Sequence, residues 1–322
     1  MTLDAQTFRA LVAEAALSPS VHNTQPTRWR LTPDGRVRVL EDTSRRLPIG
    51  DPEGRDLHVS HGAAVEGFCL AASRRGRAVD VRPDVGDIAE LTVRTGDGPD
   101  PLAVCLTTRR TYRGKFENGP AAHAALTRLE PSDDVIIVHT PEQIAELARL
   151  YDEASLRWFR NAPYRAELVS WMRLSRRHPS WSRDGLNAEA MEMSSVEAAG
   201  AGMVLRPGVF EALDRVGLSG ALVAEAAVVR TASAIALFHR PASEAPFDTG
   251  RRFHRAWLGF TQAGLSAAPM AVLADDVEAR RRVKATFGIG DDRRLITAFR
   301  LGIAPDRALS PKPRLGLDDL IV

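Results

Sequence analysis

The chain has 322 residues, enough to bury a large core, and its 43 Lys and Arg nearly balance 41 Asp and Glu, which leaves nucleic-acid or membrane-surface binding without global electrostatic support. No window approaches eighteen apolar residues, and Asp4 and Glu14 stand where a basic leader would lie, so the expectation is a soluble, cytoplasmic protein. Cys69 and Cys105 sit in apolar runs without metal-ligand spacing and read as buried thiols, with no metal site expected.

In chain order, Leu3, Phe8, Leu11, Val12, Ala15 and Ala16 predict an amphipathic helix over 3–17. Leu17-Ser18-Pro19-Ser20-Val21-His22-Asn23-Thr24-Gln25-Pro26 closes it. Two prolines oppose helix on either side, while Ser, Asn and Thr side chains can bond local backbone and shape a loop. A hairpin follows, with strands at 29–31 and 37–40 around Pro33-Asp34-Gly35. A long helix from Leu57 to Arg75 ends at Gly76, and Gly62, Ala63, Ala64 and Gly67 on it allow close packing. Short strands are expected at 79–81, 91–93 and 102–106.

The second part begins with Arg109-Arg110-Thr111-Tyr112-Arg113. A helix from Pro120 to Leu129, a strand at 135–138 and helices over 141–159 and 164–177 follow. From 178 to about 225 the pattern weakens, and the segment reads as an excursion or lid, because long unpatterned stretches in compact proteins are usually functional. Residues 227–239 fit a central strand, 249–265 a helix, 270–274 a strand, 277–287 a helix and 295–302 a final strand, with an extended tail at 310–315. The domain expectation is one half over 1–106 and another over 107–322, with the lid at about 178–225.

Three guanidinium groups and a hydroxyl within 109–113 suit a phosphate monoester held without metal, although a solvated basic turn has the same composition. His58 and His61 lack a third ligand and read as satisfied helix histidines. Trp158, Phe159, Trp171 and Trp181 read as packing residues. Val216-Gly217-Leu218-Ser219-Gly220 fails the nucleophile-elbow spacing, and no phosphate or dinucleotide glycine fingerprint follows a strand.

The 18–26 string resembles the N-terminal loop of the flavin-dependent nitroreductase family, which reads as a small residue, Pro-Ser, two variable residues, Asn, one residue, Gln-Pro and an aromatic. Thr27 stands at the aromatic position and Trp29 follows two residues later. The 109–113 string is similar to that family's Arg-Arg-Ser-x-Arg, with Thr111 keeping the hydroxyl. In most members that segment opens the chain. Here it follows the Pro-Ser loop, as in the Acg-type branch, where two halves are fused around a single flavin. The strings 42–48, 51–57 and 60–64 agree with that branch.

The resemblance implies an α+β nitroreductase-like fold whose two fused halves form an intramolecular pseudo-dimer around one FMN. Pro19, Ser20 and Asn23 would touch the ring. Arg109, Arg110, Thr111 and Arg113 would grip the phosphate with Lys312 and Arg314, whose Lys-Pro-Arg resembles the family's late Lys-x-Arg and is otherwise a basic tail. Ala263 and Gly264 resemble the loop whose amides face flavin N5, and a glycine helix cap is compatible with that. No side chain is expected to be catalytic, since flavin N5 would pass hydride from NAD(P)H to a nitroaromatic, quinone or similar acceptor. An FMN-binding protein without turnover and a flavin-dependent oxidase or dehydrogenase of a biosynthetic intermediate remain open, as does monomer against homodimer. The expected partner is a small-molecule substrate.

Overall fold

The computed structural model describes residues 3–84, 86–96, 98–117, 119–305 and 313–322. Helix α1 (Ala5–Ala15) begins where the Asp4 carboxylate accepts from the Thr7 amide, and it buries Phe8, Leu11, Val12 and Ala15. The cap satisfies one of the amides that a helix start leaves unpaired. Strands β1 (Thr27–Leu31) and β2 (Val37–Glu41) form the expected antiparallel hairpin. Helix α2 (Arg55–Ser73), β3 (Arg77–Pro83) and β4 (Ala89–Thr95) follow, and the four strands make one antiparallel sheet of order β1-β2-β4-β3. Trp29 on this sheet stacks on Phe68 of α2, ring centroids 5.2 Å apart, in the first core.

The strand expected at 102–106 is instead a 3-10 turn over Pro101–Cys105. Asp100 accepts from the Leu102 amide, and Pro101 fixes the helical φ at the first position. A five-residue apolar run has too short a period to separate the two outcomes.

Helix α3 (Pro120–Leu126), strand β5 (Val135–Val138) and helix α4 (Pro141–Arg160) lie where the spacing puts them. Helix α5 (Ala162–Trp171) stops short of Arg177, because Met172–Arg173 (β6) leave the helix to pair in parallel with Leu186–Asn187 (β7). The excursion then folds into short helices α6 (Ser195–Val204), α7 (Val209–Arg215), α8 (Ser219–Val223) and α9 (Ala226–Val229). Strand β8 (Ala234–Pro241) starts later than expected, since α9 takes the first residues of that apolar run.

Helix α10 (Pro246–Gln262), strand β9 (Ser266–Pro269), helices α11 (Val272–Asp275) and α12 (Val277–Phe287), strand β10 (Arg293–Gly302) and helix α13 (Leu317–Leu320) complete the order. The strand expected at 270–274 is displaced: the ladder ends at Pro269, which has no amide to donate, and 272–275 is a helical turn. The second sheet has order β5-β8-β10-β9, with β8 central and buried through six consecutive residues. The fold is therefore α+β, with two antiparallel four-stranded sheets.

Helix α2 lies in the core of the first sheet, and α10 contributes Trp257 and Phe260 to the core of the second. The two helices cross at glycines. A Cβ on Gly62 would meet the Phe247 carbonyl oxygen at 1.9 Å, and one on Gly250 would meet the Val59 carbonyl oxygen at 2.1 Å. Neither distance is compatible with a side chain, so the crossing depends on bare backbone at both positions.

Candidate functional site

The 18–26 segment is a strained loop. His22, Asn23 and Gln25 have φ of 45°, 55° and 51°, a left-handed conformation that costs a residue other than glycine about 1–2 kcal/mol each. Such a conformation persists only where its surroundings fix it. Within the loop, Ser20 accepts from the Asn23 amide through its carbonyl and from the Gln25 amide through Oγ, both at 3.0 Å. From α2, Ser60 Oγ accepts from the Val21 amide at 3.1 Å. His254 of α10 donates from Nδ1 to the Ala63 carbonyl at 2.8 Å, and the same nitrogen lies 3.4 Å from Ser18 Oγ.

Two distant segments hold the loop from outside. Asn23 Nδ2 donates to the carbonyls of Gly185 (3.1 Å) and Pro313 (3.2 Å), and the Gly185 amide donates back to the Asn23 carbonyl at 3.2 Å. Gln25 donates from Nε2 to the Arg183 carbonyl at 2.8 Å and accepts from the Leu315 amide at 2.9 Å. The Arg314 amide in turn donates to the Ser182 carbonyl at 3.1 Å. Loop, excursion and C-terminal tail thus form one three-way junction.

Two arginines far apart in the chain converge on it. Arg109 Nη2 donates to the Leu17 carbonyl at 2.8 Å, and Arg314 Nη2 donates to the same oxygen at 3.1 Å. Arg314 also donates from Nη1 to Asn23 Oδ1 at 2.9 Å, while its Nε is buried without a hydrogen-bond partner among the described residues. The Arg109 guanidinium lies over the Trp257 ring of α10 at 4.6 Å, a cation–π contact that holds it against that helix. Burial, then Arg314 and Arg110, push Arg109 down to about 9. Burial and Arg110 push Arg314 down to about 10. Mutual lowering of this kind means that positive charges are crowded at one place. Among the described residues no carboxylate forms an ion pair with Arg110 or Arg314. A dianionic ligand fits this donor set: it would relieve the crowding and use guanidinium edges suited to phosphate.

The other expected residues divide. Pro19, Ser20 and Asn23 lie in the loop beside Arg109 and Arg314, with Arg110 in the same field. Thr111 bridges to Ala267 at the edge strand of the second sheet, and the Tyr112 amide donates to the Ala267 carbonyl at 3.1 Å. Arg113 donates to the Ala190 carbonyl at 3.1 Å and lies in the field of Glu225, Tyr151, Arg300 and Glu192. It also lies close enough to the loop for its charge to lower the pKa of His22.

The amides of Ala263 and Gly264 donate to Gly259 and Thr261 at 3.0 Å, and the Ala263 carbonyl accepts from Arg128 at 2.8 and 3.0 Å. Both amides therefore close the end of α10, the glycine helix cap expected there. Lys312 lies outside the described residues.

His22, next to the ring-facing residues of the expectation, is pushed down to about 4 by burial and by Arg113, and is neutral at pH 7. His61 is buried, shares Nδ1 with Thr27 Oγ1 at 2.9 Å and is pushed down to about 3, chiefly by burial; His58 Nδ1 lies 2.6 Å from the Gly54 carbonyl. Trp158 packs edge-on against Tyr164, and Phe159 stacks on Phe210. Sequence reasoning missed Gln25, Arg45, Arg173 and Asp184. Gln25 and Arg45 fall inside strings that carry the family resemblance, whereas Asp184 lies in the unpatterned excursion, where no signal marks it. Among the described residues no helix is long and apolar enough to cross a membrane.

No family model matches the chain. It is 26% identical, over 99% of its length and 92% of the relative's, to "Putative NAD(P)H nitroreductase Rv3131" of Mycobacterium tuberculosis H37Rv. It is 28% identical to "Putative NAD(P)H nitroreductase acg" of the same organism over 51% of this chain and 53% of that one. Among solved structures, the FMN-dependent nitroreductase NfnB from Mycobacterium smegmatis in complex with NADPH matches 67% of this chain and 94% of its own, at 19% identity and a TM-score of 0.35.

Proposed function

We propose that this chain, similar over 99% of its length to one "Putative NAD(P)H nitroreductase" and over 51% to a second, acg, is an FMN-dependent oxidoreductase that takes hydride from NAD(P)H and delivers it to a nitroaromatic, quinone or similar small acceptor. The observation that carries the reading is the convergence of Arg109 and Arg314 on the Leu17 carbonyl, with Arg110 in the same field. Three cations crowded against a Pro-Ser loop are a costly arrangement for a fold to keep unless an anion completes it.

When bound, FMN supplies a ring that takes up and hands on a hydride, and a phosphate dianion that anchors it. Arg109, Arg110 and Arg314 would hold the phosphate, with Lys312 adjacent in sequence and the Thr111 hydroxyl beside Arg110. Pro19, Ser20 and Asn23 would border the ring. Neutral His22 adds no charge there. No protein nucleophile is required. In this reading residues 1–106 and 107–322 are two fused halves, and the loop from one meets the arginines of the other inside a single chain, either as a monomer or as a subunit of a homodimer.

The test is anaerobic. Protein loaded with FMN is mixed with NADPH while the visible flavin band is followed, and a nitroarene is then added. Bleaching followed by return of the band is expected; failure of the protein to bind FMN at all contradicts the reading.

A second reading is favoured by one observation: Asn23 and Gln25 both donate into the excursion, so that residues 183–185 lie against the loop. An excursion docked there could keep nicotinamide from the ring, leaving an FMN-binding protein without turnover. Flavin that bleaches with dithionite but not with NADPH is the result expected of that alternative.

A further inference from the structure

Resting on the flavin-loop reading above, we propose that Asp184 is a positioning residue: it pins the excursion onto the strained 18–26 loop, and pinning and occupancy of the arginine site are coupled. Asp184 is buried, 7% exposed, and has a cation on each oxygen. Arg173 donates to Oδ1 from Nη2 at 2.8 Å and from Nε at 3.2 Å, and Arg45 donates to Oδ2 at 3.1 Å. Buried ion pairs of this kind lose much when one member is removed, because the remaining charges stay desolvated.

Both cations are themselves fixed. Arg45 donates to the Thr24 carbonyl at 2.7 Å and to Asp42 at 3.1 Å, and Asp42 also accepts from Arg28 at 2.5 Å. Arg173 donates to the Ser170 carbonyl at 2.6 Å, and both guanidiniums flank the Trp171 ring at 5.5 and 6.0 Å. Gly185 completes the fit: its φ is +72°, and a Cβ there would lie 2.4 Å from the Trp171 carbonyl oxygen.

The neighbours of Asp184 on either side are the residues whose carbonyls receive the loop. Arg183 accepts from Gln25 and Gly185 accepts from Asn23. Asn23 then accepts from Arg314, the cation with the buried, unpartnered Nε. The peptide bond from Asp184 to Gly185, and hydrogen bonds from Gly185 through Asn23 to Arg314, therefore connect the pinned carboxylate to the arginine site. An anion on Arg314 steadies Asn23 and with it the excursion, and by linkage a docked excursion slows loss of the anion.

The experiment compares wild type, Asp184→Asn and, as a surface control outside the excursion, Asp80→Asn, which is exposed and paired with exposed Arg94. Hydrogen–deuterium exchange is read on peptides covering 17–26 and 181–187, with and without FMN, and FMN dissociation is timed by recovery of flavin fluorescence. Asp184→Asn is expected to raise exchange in both peptides together and to speed FMN loss roughly tenfold, with the control unchanged. FMN is expected to slow exchange of 181–187 in wild type, an arm that stands even if the variant fails to fold. Faster exchange confined to 181–187, or no effect of bound FMN on that peptide, overturns the coupling. Because the flavin-free exchange comparison needs no ligand, it still decides whether Asp184 holds the loop should wild type fail to bind FMN, a failure that would fall on the functional reading instead.

Discussion

At the scale of single residues, Arg314 does two things, bonding the loop carbonyls and carrying a charge with no carboxylate partner among the described residues. Arg314→Gln keeps a donor but removes the charge, and a charge-assisted bond to phosphate is worth about 1.5–3 kcal/mol. FMN affinity measured by fluorescence quenching is expected to fall roughly 10- to 100-fold by that arithmetic. His61 makes a prediction of the opposite kind. Its folded pKa of about 3 lies below the unfolded 6.5, so the unfolded chain binds the extra proton and stability is lost as pH falls below 6.5. Between pH 8 and pH 5 that loss is about 2 kcal/mol. Urea midpoints should show it in wild type and show a flatter profile in His61→Gln. Arg109 and Arg110 are legible in the sequence because charge and spacing mark them, and Arg314 because Lys-Pro-Arg resembles the family's late Lys-x-Arg. Asp184 is not, because a lone carboxylate acquires its role only from the two arginines that the fold brings to it.

At the scale of elements, the α2–α10 crossing is written into glycines that the sequence displays but cannot pair. Gly62 reads correctly as a close-packing position, while its counterpart Gly250 sits in a helix with no other sign of a contact. Gly62→Ala or Gly250→Ala should lower stability by at least about 1–3 kcal/mol through overpacking. Gly259 on the same helix has open space around a Cβ, so Gly259→Ala should be neutral or stabilising by about 0.5–1 kcal/mol. Chemical denaturation of the three variants checks the contrast, and equal effects at all three sites would contradict it. Helices with strong periodicity, such as α4 and α12, stand where their spacing puts them. Short apolar runs do not: 101–105 turns under an Asp cap and a proline, and 266–269 takes the strand that 270–274 resembles.

At the scale of the whole molecule, Asp275 on α11 and Asp56 on α2 face one another across elements from the two parts of the chain. Asp56 is pushed up to about 6, by burial first and then by Asp51; Asp275 is pushed well up by burial and Asp56. Folded values above the usual carboxylate range mean that the folded state holds protons the unfolded chain has released. Their stabilisation is present at low pH and lost as pH rises through about 6. Asp275→Asn should therefore raise thermal stability at pH 8 and change it little at pH 4, and a gain of the same size at both would contradict the assignment. The division of the elements into two sheets appears only in the structure, whereas the order of helices and strands is largely legible, since it follows from turn residues and periodicity. The three-way junction is not, because it joins positions about 160 and 290 residues apart through side-chain amides to backbone carbonyls, contacts with no periodic trace.

The most direct measurement is the affinity of the purified protein for FMN beside riboflavin, which lacks only the phosphate, in wild type and in an Arg109→Gln/Arg314→Gln double variant. The account predicts that wild type prefers FMN by about 100-fold or more and that the preference collapses in the double variant. Equal affinity of wild type for the two flavins, or a preference that survives loss of both arginines, would contradict it.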